Sequence, residues 1–187
     1  MTTPPRPGSW TVEDLFGLPD DDGNRYELVD GNLLVTPFPS TGHIAIQRRL
    51  GDLLRAAAPP HLVAEFAGYG IRIGKSLFQP DVVVVRASAV AYSVPSVDVG
   101  DVLLAVEVLS RSNPDNDRII KHERYAAGGI PNYWIVDGKQ RRITVFHLDA
   151  GRSQYTTVAQ VDAGTVYRTD RPFEIALDPA EFCVTTW

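Results

Sequence analysis

The sequence contains little of several features, and each shortage excludes a class of protein. Only one of its 187 residues is a cysteine, Cys183, which excludes an internal disulfide and any zinc or iron–sulfur site built from several cysteines. No apolar run approaches the roughly 18 residues that span a bilayer, and the proline-rich start lacks the pattern of a signal peptide. We therefore expect a soluble, cytoplasmic protein that does not insert into membranes.

The chain also has fewer basic than acidic residues. The chain has 18 basic and 23 acidic residues, a formal net charge of −5, which argues against coating nucleic acid by bulk charge alone. This net charge is compatible with an enzyme whose carboxylates hold a metal. A hydrophobic fraction of 44% is ordinary for a globular domain that buries its own core. We expect a flexible tail over residues 1–9 and one domain over residues 10–187.

Hydrophobic periodicity predicts strands that alternate with helices. Two apolar runs flank Asp30-Gly31, which indicates a β-hairpin. Apolar residues recur at helical spacing from Ser40 to Ala58, and a second helix is expected from about Asn116 to Ala127. Continuous apolar strands between helices indicate an α/β fold, with a central mixed β-sheet flanked by helices. The predicted strands outside the hairpin cover residues 63–66, 70–73, 82–85, 103–109, 132–136, 143–148, 155–158 and 166–168.

Two acidic residues have unusual neighbours. Asp81 lies between Pro80 and a run of four valines, and Glu107 lies inside another apolar strand. A carboxylate is costly to bury at such positions unless a cation or a metal pairs with it. Lys121 and Tyr125 are spaced i, i+4 on the following helix and therefore share one face. A helix that returns over the sheet would aim this face at Glu107.

Two carboxylates and a lysine are a minimal set for metal-assisted phosphodiester hydrolysis. Carboxylates bind hard divalent cations, the metal acidifies a water and stabilises charge on the phosphate, and a lysine positions the water or offsets negative charge. Spacing alone leaves simpler alternatives open. Asp81 is also compatible with an ordinary strand-entry acid, and Glu107 with half of a buried ion pair with Lys121 or an arginine.

Six short segments, spread over a range of roughly residues 10 to 150, carry a family resemblance. They are Tyr26–Gly31, His43, Gln79–Val84, Glu107–Ser110, Lys121 with Tyr125, and Gly129–Asp137. Pro80-Asp81 followed by Glu107 resembles the PD-(D/E)xK nuclease pattern. More narrowly, the six segments in this order resemble the Uma2 family, also called DUF820, of restriction-endonuclease-like proteins.

The resemblance implies a restriction-endonuclease-like α/β/α core that uses Mg²⁺ or Mn²⁺. It places Asp81 and Glu107 as metal ligands, with the backbone carbonyl of Val108 as a third. It makes Glu27 a further ligand or a residue that holds water. Secondary candidates for contacts with the substrate or with this site are His43, Gln79, Ser110 and Tyr125. For His43 a structural role on its helix is the alternative, and for Ser110 it is capping of a turn.

One position departs from the nuclease pattern. That pattern has a lysine two residues after the second acid, where this chain has Leu109. The resemblance implies that Lys121 on the next helix replaces it, which its long flexible stem makes chemically reasonable. The departure also motivates a second hypothesis, a catalytically inactive nuclease-fold module that binds nucleic acid or a protein partner. A third is a carboxylate-pair hydrolase that acts on another substrate, such as a glycoside.

We expect a divalent-metal-dependent endonuclease that hydrolyses phosphodiester bonds in DNA. A homodimer is expected because duplex DNA has two strands to cut. An acidic chain can bind DNA if its basic residues are concentrated around the site; scattered surface charge is the alternative. The residues that would form such a basic rim are Arg48, Arg49, Arg55, Arg72, Lys75, Arg111, Arg118, Lys121 and Arg124.

Overall fold

The structure is a computed structural model that describes residues 6–18, 23–66, 69–91, 95–109 and 116–183, with only the backbone described at residues 116–118. Its α-helices are α1 (Val12–Phe16), α2 (Thr41–Ala57), α3 (His122–Ala127) and α4 (Pro179–Phe182). Its strands are β1 (Asn24–Val29), β2 (Asn32–Pro37), β3 (Leu62–Phe66), β4 (Gly70–Ile73), β5 (Ser76–Phe78), β6 (Val82–Arg86), β7 (Ser96–Asp98), β8 (Val102–Val108), β9 (Asn132–Asp137), β10 (Arg142–His147), β11 (Thr156–Asp162), β12 (Tyr167–Thr169) and β13 (Ile175–Leu177). None of the helices described here is both long enough and apolar enough to span a membrane.

A six-stranded mixed sheet forms the centre of the fold. Its strand order is β11-β10-β9-β8-β6-β3, and only β8 and β9 run parallel among these neighbours. Parallel neighbours need a crossover connection, and the segment that leads into α3 provides it. The sequence prediction of a central mixed sheet flanked by helices is therefore confirmed.

The valine run of β6 shows why the central strands read as continuous apolar segments. Val82 and Val84 belong to the apolar cluster on one face of the sheet, where α2 contributes Leu50. Val83 and Val85 belong to a second cluster, which includes residues of α3 and of a second sheet. Both faces are thus covered, so all four valines of the strand are buried. The C-terminal region packs into the first of these clusters through Leu177, Phe182 and Cys183.

The second sheet has five strands in the order β2-β1-β5-β4-β7. Its β1–β2 hairpin turns at Asp30 (φ 48°) and Gly31 (φ 78°), and this positive-φ pair fits the predicted Asp-Gly turn. A Cβ at Gly31 would lie 2.5 Å from the backbone oxygen of Gly8, so glycine is required there. The sequence did not predict β5, β7 or β13, each of only three residues.

Two helical segments carry candidate site residues, and the second of them begins with a different helix type from the one predicted. Helix α2 begins after Ser40, whose side chain accepts a hydrogen bond from the backbone of His43, and it matches the prediction closely. The second predicted helix begins as a π-helix over Asn116–Lys121 and becomes α-helical only in α3. A π-helix has a wider i→i+5 hydrogen-bond pattern and is often found at functional sites.

Candidate active site

Asp81 is held by the backbone where β6 meets β8. It immediately precedes β6, and its backbone N–H donates to the carbonyl of Val106 at 3.0 Å. Its Oδ2 atom accepts a hydrogen bond from the backbone N–H of Val108 at 2.7 Å. The carboxylate is almost fully buried. Backbone hydrogen bonds with the neighbouring strand β8 therefore fix the position of Asp81.

Three side chains complete the surroundings of the Asp81 carboxylate. Arg25 of β1 donates to Oδ1 at 3.0 Å, and Gln47 of α2 donates to the same atom. The Nε2 atom of His43 lies 2.9 Å from Oδ2. His43 and Gln47 are spaced i, i+4 on α2 and so reach the site from one helix face. With the N–H of Val108, three donors and the ring nitrogen of His43 surround a group that has about four lone-pair positions.

These contacts keep Asp81 charged despite its burial. Burial by itself raises the pKa of this carboxyl, but contact with His43 and the charges of His43, Arg25 and Lys121 outweigh it. The pKa of Asp81 is consequently held well below its usual range. Although it is close to Asp81, His43 Nε2 is buried without a hydrogen-bond partner of good alignment. The site thus combines an ionised carboxylate with a ring nitrogen that lies 2.9 Å from it without an aligned hydrogen bond.

Glu107 lies in β8 and is as deeply buried as Asp81. Tyr125 of α3 donates its hydroxyl to Oε1 at 2.8 Å, and the Nζ atom of Lys121 donates to Oε2 at 3.0 Å. The same ammonium lies 2.9 Å from Oε1 of Glu27 in β1. Glu27 also accepts a hydrogen bond from the backbone N–H of Gln79 at 2.7 Å. Lys121 therefore bridges two buried carboxylates.

Tyr125 has the protonation state that this arrangement needs. Burial, followed by the charges of Glu107 and Glu27, raises the pKa of its hydroxyl well above the usual value. The hydroxyl consequently remains a donor at neutral pH. The ring packs edge-on against Phe78 and Tyr133, with centroids 5.5 and 5.4 Å away. Packing therefore fixes the side chain that orients Glu107.

The remaining candidate residues contribute to the site through the backbone or lie outside the described residues. Gln79 contributes its backbone N–H, and its side chain makes no hydrogen bond within the described ranges. Val108 contributes its N–H to Asp81. Ser110 lies outside the described residues. The predicted helix face is present at Lys121 and Tyr125, which both contact Glu107.

Several members of the predicted basic rim pair with surface acids instead of standing alone. Arg48 and Arg55 both contact Asp52, and Arg124 contacts Asp30. Arg55 also donates to Glu65 at 2.7 Å. Arg111 and the side chain of Arg118 lie outside the described part of the chain. These pairs reduce the positive potential that the rim was expected to supply.

Sequence reasoning missed Arg25 and Gln47. Both contact Asp81, yet they lie 56 and 34 residues before it in the chain. A weak signal for each was present. Arg25 is two residues before Glu27 on a strand and therefore shares its side of the sheet. Gln47 is four residues after His43 on a helix and shares its face.

The residues fit a hard divalent cation by donor chemistry. Asp81 and Glu107 are buried oxygen donors, which is the ligand type that hard divalent cations take. In the present arrangement, the described residues include no group of three or more His, Cys, Asp or Glu side chains placed to hold a metal. A cation at Asp81 would therefore replace one of the contacts described above.

A mixed sheet with helices on both faces makes this an α/β protein, and its buried carboxylates and lysine lie beside adjacent strands of that sheet. The model of the Uma2 family, described as "Putative restriction endonuclease", matches residues 12–179, and the chain belongs to this family. No curated protein sequence matches.

A solved structure supports the fold. The chain is similar to the crystal structure of "a putative nuclease belonging to DUF820" from Anabaena variabilis ATCC 29413, with a TM-score of 0.74 and 16% identity. The match covers 92% of this chain and 97% of that chain. At this identity, the likeness shows a shared fold. The family description indicates a nuclease.

Proposed function

We propose that the chain is a divalent-metal-dependent endonuclease that hydrolyses phosphodiester bonds in DNA. The observation that carries the proposal is the position of Lys121. Its ammonium contacts both Glu107 and Glu27, so the chain supplies from a helix the lysine that Leu109 replaces in the usual pattern. An ionised Asp81 on the neighbouring strand completes the set.

Mg²⁺ or Mn²⁺ would be held by Asp81 and Glu107, with the carbonyl of Val108 as a third ligand and Glu27 beside them. Bound there, the ion would supply a water of lowered pKa and an electrostatic partner for the phosphate. The protein positions the other groups itself. Lys121 orients the attacking water and offsets negative charge.

The surrounding residues hold the ligands in place. Tyr125 fixes the orientation of Glu107 through its hydroxyl, and Gln47 and His43 fix Asp81 from α2. Such support from neighbouring hydrogen bonds is what keeps metal ligands in a productive geometry. A homodimer belongs to the proposal because two copies would bring one site to each strand of a duplex.

Calorimetric titration with Mg²⁺ or Mn²⁺ tests the metal site directly. We expect the wild type to bind at millimolar concentration or below and Asp81→Ala to lose this binding. Asp162→Ala is a matched control, because it removes a surface carboxylate that binds Arg142 in a bidentate contact. The control should titrate like the wild type. A wild type that binds neither metal at millimolar concentration would refute the proposal.

A non-catalytic module that binds nucleic acid is the second candidate. The observation in its favour is that protein donors already surround the Asp81 carboxylate. This candidate predicts that DNA binding is the same in EDTA and in Mg²⁺ and that no cleavage accompanies it. The proposed enzyme predicts metal-dependent cleavage.

A further inference from the structure

We propose that Arg25 gives up its contact with Asp81 when a divalent cation binds and then contacts a phosphate of the nucleic acid. The inference rests on the proposed function. It assigns Arg25 a role in binding the substrate that neither the family description nor the matched structure states.

Four groups already surround the carboxylate of Asp81. Oδ1 faces Arg25 and Gln47, and Oδ2 faces His43 and the N–H of Val108. A carboxylate has about four lone-pair positions. A cation can therefore bind to Asp81 only if one of these four groups moves away.

Among the three groups that donate aligned hydrogen bonds to Asp81, Arg25 is the one best able to leave. The N–H of Val108 belongs to a strand of the central sheet, and Gln47 is only 1% exposed. The side chain of His43 is 10% exposed, whereas that of Arg25 is 18% exposed. Arg25 also carries a full positive charge, which a cation on the same carboxylate would repel strongly at this distance.

The released guanidinium of Arg25 would contact a phosphate oxygen of the nucleic acid. The guanidinium of Arg25 lies 3.0 Å from Asp81, so a phosphate bound to a cation on Asp81 would come within reach of the same side chain. The planar guanidinium binds phosphate oxygens in a bidentate manner, which a lysine cannot do. Among the described residues, Lys121 contacts Glu27 and Glu107 and not Asp81, so the ammonium and the guanidinium belong to different carboxylates.

The variant Arg25→Gln distinguishes a role in phosphate binding from a structural role. If Arg25 binds phosphate, the substitution should strengthen metal binding and weaken DNA binding. Calorimetric titration should show Mg²⁺ or Mn²⁺ binding about tenfold tighter than in the wild type, because the competitor is gone. Binding of a labelled duplex oligonucleotide in Ca²⁺, measured by fluorescence anisotropy, should be about tenfold weaker, the usual effect of losing a charged hydrogen bond. General damage to the site would weaken both.

Arg55→Gln is the matched control for the metal titration. It removes the same charge and frees two surface carboxylates, Asp52 and Glu65, from their arginine. We expect its metal affinity to equal that of the wild type. If Arg55→Gln tightens metal binding as much as Arg25→Gln does, a general charge effect explains the result and the exchange is refuted.

An NMR titration of the wild type tests the exchange without a variant that risks misfolding. The side-chain Nε–H signal of Arg25, assigned by its absence from Arg25→Lys, should shift as Mg²⁺ saturates the site. An unmoved signal during measurable metal binding would overturn the inference and leave the proposed function intact. Absence of metal binding in both the wild type and Arg25→Gln would instead overturn the proposed function, and the inference with it.

Discussion

The ammonium of Lys121 lies 3.0 Å from Oε2 of Glu107, and 14 residues separate the two in the chain. The contact exists because β8 and β9 are parallel, so the connection between them must return over the sheet. It brings a lysine to the second acid even though Leu109 occupies the usual lysine position. The same ammonium also contacts Glu27 in the second sheet, so one side chain joins three parts of the fold.

Lys121→Met should lower both activity and stability. The substitution keeps a long apolar stem but leaves Glu107 and Glu27 without their shared cation in a buried site. Breaking a buried ion pair in this way costs about 3–5 kcal/mol of unfolding free energy. Loss of the charge at the reacting phosphate should lower cleavage at least 100-fold, judged by comparable electrostatic groups. Urea denaturation and a cleavage assay measure the two effects.

A double variant distinguishes lost pairing from lost packing. Adding Glu27→Gln to Lys121→Met removes one of the uncompensated charges, so part of the stability should return, while cleavage should not. If the double variant is less stable than Lys121→Met, the charge pairing is not what Lys121 contributes to stability. The comparison is a double-mutant cycle between residues in direct contact.

Tyr125→Phe should destabilise the protein through the hydrogen bond to Glu107. The ring packing against Phe78 and Tyr133 is retained, so the change isolates the hydroxyl. A hydrogen bond to a charged group contributes about 1.5–3 kcal/mol, against about 1 kcal/mol for a neutral one. Tyr155→Phe is the control, because its hydroxyl donates to the neutral carbonyl of Ile130 at the same 2.8 Å. Equal losses in the two variants would contradict the assignment.

Asp81 should make the free energy of unfolding depend on pH in the acidic range. Its folded-state pKa lies below the value of about 3.9 expected in the unfolded chain. Its stabilising contribution is therefore fully present above about pH 5 and is lost as the pH falls below the unfolded-state pKa. In EDTA, the stability of the wild type should fall more steeply between pH 5 and pH 3 than that of Asp81→Asn. Parallel curves would contradict this account.

The single cysteine should be unreactive in the folded protein. Cys183 is buried in the apolar cluster beside α2, and burial raises the pKa of its thiol to about 11. The thiolate is the reactive species, so labelling by iodoacetamide at pH 8 should be at least 100-fold slower in the native protein than in urea. Similar rates in the two states would show that the C-terminal region does not pack as described.

The central strands could be predicted from the sequence because both faces of their sheet are buried. Continuous apolar runs such as Val82–Val85 locate these strands to within one or two residues. Three-residue strands such as β5 and β7 could not be found, because so few residues carry no periodicity. The π-helix before α3 also has no pattern that single-sequence reasoning recognises.

The candidate site was predictable where motif and spacing agreed, and not where distant elements converge. Lys121 and Tyr125 were expected on one helix face, and both contact Glu107. Arg25 and Gln47 reach Asp81 only because β1 and α2 fold over it, and no local pattern encodes that approach. The catalytic and metal-binding roles of all these residues stay predictions.

Cleavage of DNA tests the central claim most directly. Supercoiled plasmid and branched DNA are incubated with the wild type and with Glu107→Ala, in Mg²⁺, in Mn²⁺ and in EDTA. The account predicts cleavage by the wild type in at least one of the two metals, none in EDTA, and none by Glu107→Ala in any condition. Equal cleavage by the wild type and Glu107→Ala, or cleavage by the wild type that persists in EDTA, would contradict it.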